Sequence, residues 1–267
     1  MVNGRAVDLT DDAAIERFLR RDVHLNIYQI GDLDDFFRPY TVWHGWMDGD
    51  ELLAVVLIYN GLARPTLLAL SQPHDRNLTR LLNEIGDKLP DDFYAHLTEG
   101  AEAALSDDFE ITSDSRNLKM ALLEPSLLEG IDTSAAVRLT TEDKDELTDF
   151  YKISYPEGWF DSRMLETGMT FGIRDSESLV SVAGIHVYSQ SRRVAALGNI
   201  ATRPDRRGRG LAAAVTARLC RELRRHVDYI GLNVKGDNIA AVACYERLGF
   251  RRVANYFEYG MKRKVKV

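Results

Sequence analysis

Six residues in the second half of the chain, Arg207, Gly208, Arg209, Gly210, Leu211 and Ala212, have the types and order needed to hold an anion. The glycines leave room where the backbone turns sharply and where N–H groups approach a ligand. Amides converging on a helix N-terminus attract negative charge through the helix dipole and their unpaired donors. The guanidinium forks of Arg207 and Arg209 suit phosphate oxygens. No Gly-Lys-Ser/Thr follows, so magnesium has no ligand here and the loop is not a nucleotide P-loop. Its glycine spacing also differs from a dinucleotide fingerprint. A diphosphate held without metal fits; taken alone, so does a helix-capping turn with solvated arginines.

A second segment runs from Asp237 to Phe250. Asp237 or Asn238 can cap a helix that Gly249 ends in a left-handed turn. Small side chains at Ala240, Ala241 and Ala243 permit close approach. Tyr245 follows Asn238 by seven residues, about two helical turns, so both lie on one face. A tyrosine there can donate a proton to a leaving group, or it can pack in the core with a satisfied hydroxyl.

Regular elements must position both segments. In the second half, apolar patterning predicts strands at residues 136–139, 169–174, 179–189, 194–202, 229–234 and 250–262. Helices are predicted from Thr140 or Thr141 as cap, after Pro156, and over residues 210–225 and 239–248. The first half reads in a related order. Helices open at Asp11-Asp12 and over 24–36, then strands follow at 41–47, 52–60 and 66–71. A helix over 76–88, a strand at 93–98, a short Ala-rich helix and a strand at 118–123 complete it. Little pattern remains between residues 124 and 134, which contain Pro125 and Gly130. The expected layout is a domain over 1–124, a linker over 125–135 and a domain over 136–267.

Charge divides the chain in the same place. Residues 1–130 hold 11 Lys and Arg against 24 Asp and Glu, net −13; residues 131–267 hold 23 against 17, net +6. The basic half is the one suited to an anion, either a nucleotide-like cofactor or a nucleic acid. Arg203, Arg206, Arg218, Arg221, Arg224 and Arg225 prompt the nucleic-acid reading. Aromatics do not interleave with them and the whole chain is acidic, so that reading is set aside. No apolar run reaches the roughly 20 residues of a membrane helix, and no apolar signal core opens the chain. Cys220 and Cys244 lack metal-ligand spacing, which points to a reducing, cytoplasmic setting and no metal.

Together, Arg207, Gly210 and Ala212 as R-x-x-G-x-A, and Asn238 to Phe250 as N-x-A-A-x-x-x-Y-x-x-x-G-F, resemble the two signature motifs of the GNAT superfamily of acetyltransferases. The resemblance covers residue 136 to about 262. It implies an α+β fold with a mixed sheet, an acetyl-CoA co-substrate, and direct attack of an amine on the thioester. The loop from Arg207 through Gly208, Arg209, Gly210, Leu211, Ala212 and Ala213 would then hold the CoA pyrophosphate. Ile200, Ala201 and Thr202 would lie along the pantetheine arm, with Asn238 and Ala241 beside it. A backbone N–H near Ile200 would polarise the thioester, and Tyr245 would be the general acid.

One departure matters: residues 194–202 hold no acid where many family members place a glutamate. His186, Asn199 acting through a water, or solvent remain as routes for the amine proton. Trp159 and Phe160 either wall an apolar acceptor pocket or plug an interface with the first half. The acceptor would be a small-molecule or peptide amine. The first half resembles the family in element order alone. Its matching loop, residues 71–77, lacks glycines and positive charge, giving a tandem arrangement with a degenerate first copy. That copy would shape the acceptor pocket or form a homodimer surface. The competing reading is a non-catalytic acyl-CoA sensor or scaffold.

Overall fold

The structure is a computed structural model that describes residues 4–156, 158 and 160–265. Elements follow in the order β1 (Arg5–Asp8), α1 (Asp12–Leu19), α2 (Val23–Gly31), β2 (Thr41–Asp48), β3 (Glu51–Tyr59), β4 (Thr66–Ala69), α3 (Arg76–Ile85), β5 (Asp92–Leu97) and β6 (Phe109–Leu122). Then come β7 (Val137–Arg138), α4 (Lys144–Ser154), β8 (Phe171–Asp175), β9 (Ser178–Ser189), β10 (Val194–Thr202), α5 (Leu211–Leu223), β11 (Tyr229–Lys235), α6 (Ile239–Arg247) and β12 (Phe250–Arg263). No helix among the described residues is long and apolar enough to cross a membrane.

Contacts group these elements into two units. The first holds the chain up to Lys119, Lys235–Asp237 and the stretch from Val253 onward; the second holds Met120–Val234 and Asn238–Arg252. The stretch 125–135, expected as a linker, therefore lies within the second unit. One side chain on α5 fastens it: Arg221 donates to the carbonyls of Leu128, Glu129 and Ile131 and to the Thr133 hydroxyl.

In the first unit β1 pairs with β2, β2 with β3 and β3 with β4, all antiparallel, while β4 and β5 run parallel. The end of β12 pairs with β5 from Phe257↔Leu97 to Lys262↔Asp92. Helix α3 carries Leu78, Leu81, Leu82 and Ile85 on one stripe, which packs on Val56, Leu67, Phe93, Ala95 and Met261. That spacing is why this segment is a helix: it buries one face against a sheet that alternates sides.

The second unit repeats the plan. β7, β8, β9 and β10 pair antiparallel in turn, and β10 runs parallel to β11. Its core joins Leu147, Phe150 and Tyr151 of α4 to Leu179, Val182 and Ala201 of the sheet. Thr140 and Asp143 form a reciprocal capping box ahead of α4. Local differences from the sequence reading are physical. The segment after Pro156 forms a 3-10 turn over Ser162–Thr167, capped by Asp161 and closed by Gly168 at φ 68°, too short for an α-helix. The Ala-rich segment is likewise a 3-10 turn, Ala101–Leu105. Strand β1 was not expected; residues 5–8 lack an apolar pattern, and pairing with β2 organises them.

Candidate functional site

Strand β10 is bent by two irregularities against β9. Ala196 faces Val187 and Leu197 faces Ile185, so His186 is an extra, unpaired residue on β9. Farther on, Gly198 faces Gly184 and Ala201 faces Val182, so Asn199 and Ile200 together oppose one residue. Such bulges bend a strand and interrupt its ladder. Asn199 adopts φ 54°, a left-handed conformation that asparagine tolerates better than most residues. The parallel pairing of β10 with β11 runs from Val194↔Tyr229 to Leu197↔Leu232 and stops where this distortion begins. Past that point β10 continues through Gly198, Asn199, Ile200, Ala201 and Thr202, outside that ladder. The two parallel strands are unpaired beyond this point, and the gap at the end of their ladder is the candidate cleft, edged by the backbone of β10.

Two contacts hold the distortion, the first of them buried. The Tyr151 hydroxyl, from α4, donates to the Asn199 carbonyl at 2.7 Å. The His186 ring lies over Gly198, where a β-carbon would come within 2.0 Å of the ring Cδ2 and 2.4 Å of Nε2. Asn199 is 5% exposed, and its Oδ1 is buried without a hydrogen-bond partner among the described residues. Burial pushes the Tyr151 phenol up, with Tyr155 adding in the same direction. Phe160 packs against Tyr151 at 5.0 Å between ring centroids. Thus His186 and Asn199 come together at the bulge and Phe160 stands behind Tyr151. Trp159, the other expected acceptor-pocket residue, lies outside the described residues.

Beyond β10 the chain turns through Pro204–Arg206 into Gly208 and Gly210, both at φ 76°. A β-carbon on either would meet nothing within 4 Å, so the loop is open. Gly210 occupies the N-cap position of α5 and supplies no side-chain cap. The first amides of that helix, at Leu211, Ala212 and Ala213, have no intrahelical acceptor by geometry. Asp205 engages Arg203, Asp175 engages Arg206, and Arg207 Nε donates to the Thr202 carbonyl. Arg207 and Arg209 are exposed. An anion placed here meets uncapped amides, a helix dipole and arginine charge.

Helix α6 brings the second segment to the same unit. Asn238 caps it, accepting from the Ala241 amide at 3.1 Å, so its carboxamide oxygen is engaged. Tyr245 is 8% exposed and meets Phe250 edge-on at 6.0 Å. Burial pushes its phenol well above the ordinary range, with Cys244, Tyr155 and Cys220 acting in the same direction.

The equivalent places in the first unit are filled by its own side chains. Parallel pairing of β4 with β5 ends at Ala69↔Leu97. There the Thr98 hydroxyl accepts from the Ser71 amide at 2.8 Å and donates to the Ser71 carbonyl at 3.0 Å. At the N-terminus of α3, the Asp75 carboxylate accepts from the amides of Asn77 and Leu78. A carboxylate already sits where an anion would bind, and a hydroxyl stitches the strand ends.

Residues 136–250 match the acetyltransferase (GNAT) family model. That segment belongs to the GNAT family. A mycothiol acetyltransferase of Rhodococcus opacus is 35% identical over 100 residues, which are 36% of this chain and 32% of that protein. The chain therefore spans about a third of the length of that curated relative. An X-ray structure of a Drosophila protein superposes with TM-score 0.71 at 13% identity, covering 96% of this chain and 98% of that one. A tandem GNAT protein from the clavulanic acid biosynthesis pathway gives TM-score 0.58 at 14% identity, covering 99% and 100%. At such identities the likeness concerns fold: the GNAT fold extends over the whole chain, in two units.

Sequence reasoning missed Tyr151, Thr98 and Asp75. Tyr151 was visible only as one member of the apolar stripe Leu147, Phe150 and Tyr151 on α4. Its hydroxyl's partner lies 48 residues away, a contact that local patterning does not encode.

Proposed function

We propose that the second unit transfers an acetyl group from acetyl-CoA to a primary amine on a small molecule. The observation that carries this reading is the pairing of an opened β10–β11 edge with an uncapped, glycine-lined helix N-terminus that follows directly from β10. An extended, amide-bearing chain ending in a diphosphate suits both: its amides complete the ladder along Ile200, Ala201 and Thr202, and its diphosphate takes the amides of Leu211, Ala212 and Ala213. Bound acetyl-CoA would supply the thioester carbonyl that the amine attacks. A backbone donor freed at the bulge near Ile200 stabilises negative charge on that oxygen, an effect of roughly 3 kcal/mol for one such donor.

In the transfer, a C–N bond forms and the C–S bond breaks. Tyr245 gives its proton to the departing sulfur. The proton leaving nitrogen goes to the His186 imidazole or directly to water. Mycothiol acetyltransferase as the name of a relative supports a small-molecule acceptor. The test is release of free CoA thiol from acetyl-CoA across a panel of small primary amines. Amine-dependent release that falls in Tyr245→Phe supports the reading. Thiol release that no amine accelerates counts against transfer.

A further inference from the structure

Resting on that reading of the cleft, we infer that Tyr151 is a positioning residue: its hydroxyl locks the left-handed Asn199 and so holds β10 in the bulged form that accepts the thioester arm. The two residues are buried, at 5% exposure each, and the hydrogen bond is 2.7 Å long. A left-handed backbone is uphill for any residue with a β-carbon, asparagine least of those. Without an anchor, the bulge would relax part of the time toward a regular strand. Asn199 has no side-chain compensation for its conformation, since Oδ1 is buried without a partner among the described residues. The Tyr151 hydroxyl is thus the contact that ties this backbone to α4.

The anchor also has a back. Phe150 meets the Tyr151 ring edge-on at 5.3 Å and Phe160 lies against it at 5.0 Å. These rings fix the direction of the hydroxyl. They also join the loop after Pro156 to the cleft through one short path: Phe160, Tyr151, the Asn199 carbonyl. Removal of the hydroxyl leaves packing in place and takes away the lock. A ligand that needs the bulged form then binds more weakly by the fraction of chains that retain it.

The experiment compares acetyl-CoA affinity in wild type, Tyr151→Phe, Asn199→Gly and the double variant. Glycine adopts the left-handed conformation freely, so it makes the lock unnecessary. Tyr151→Phe is expected to weaken acetyl-CoA about tenfold, equivalent to about 1.4 kcal/mol. The double variant is expected to bind within about twofold of Asn199→Gly, which is its reference, so that the hydroxyl's loss no longer matters once position 199 is glycine. A merely structural role for Tyr151 would not be rescued by glycine at 199. Wild-type affinity in Tyr151→Phe, or a double variant weaker than Asn199→Gly by that same factor, overturns the inference. Amide hydrogen exchange at Ile200 and Ala201 is read on the same proteins without ligand. Faster exchange in Tyr151→Phe that Asn199→Gly suppresses supports the lock even if no variant binds acetyl-CoA, an outcome that would sink the cleft reading alone. Unchanged exchange overturns the lock.

Discussion

Replacing Gly198 with alanine puts a methyl group where the His186 ring already lies. The new β-carbon would sit 2.0 Å from the ring Cδ2 and 2.4 Å from Cγ, against an ordinary carbon–carbon separation of about 3.5–4 Å. An overlap of about 1.5 Å at the root of the ring is not relieved by a small torsion of the side-chain tip. Either the imidazole leaves its place or β9 and β10 separate at Gly198↔Gly184. Overpacking of this kind costs about 1–3 kcal/mol. At about 2 kcal/mol, the thermal midpoint should fall by roughly 4–8 °C for a domain of this size. Thermal and urea unfolding of Gly198→Ala, His186→Ala and the double variant measure it. His186→Ala clears the space, so the double variant should be more stable than the two single effects predict together. Two residues in contact show such coupling. A midpoint for Gly198→Ala within the error of wild type, or strict additivity in the double variant, would mean that the His186 ring does not fill that space.

Tyr245→Phe should lower turnover at least tenfold while leaving acetyl-CoA affinity within about twofold, as measured by thiol release and calorimetry. The raised phenol pKa adds a pH signature: wild-type turnover should not fall on the alkaline side as pH passes the ordinary tyrosine range near 10. Calorimetry should find one acetyl-CoA per chain, because Asp75 and Thr98 fill the corresponding places in the first unit; two sites of similar affinity would contradict that. Burial raises the Asp32 carboxyl to about 8, with Lys119 opposing the shift. The folded chain then keeps a proton that the unfolded chain releases, so this stability is complete below pH 3.8 and is lost as pH rises through 8. Asp32→Asn should remove that part of the slope, and urea midpoints between pH 5 and 8 will show whether wild type loses ground relative to it.

Much of this molecule could be read before any coordinates. The strand ending at Thr202, the glycine loop and the helix beginning after Asn238 are local features, written in patterning and turn chemistry. The loop over residues 71–77 likewise showed its lack of glycines. What local pattern could not show was why the first unit's cleft is closed: the Thr98 hydroxyl reaches Ser71 across 27 residues. The left-handed turn at Asn199 was hidden for a similar reason, since the residues around it read as an uninterrupted apolar strand. Helix and 3-10 turn also look alike over six residues, which explains the segment Ser162–Thr167. The last strand looked like the end of one continuous domain, yet from Val253 onward its contacts lie with the first unit.

Calorimetric titration with acetyl-CoA, comparing wild type with Gly210→Trp, asks whether the glycine loop holds the cofactor. Gly210 has nothing within 4 Å of a built β-carbon, so the indole would fill the open cradle at the start of α5 without displacing protein atoms at its root. The left-handed backbone adds about 1–2 kcal/mol of local cost, checked by the unfolding midpoint. Wild type should bind with micromolar affinity, about −8 kcal/mol, and a folded Gly210→Trp protein should lose that binding. No binding by wild type, or equal affinity in the variant, would contradict that role for the loop.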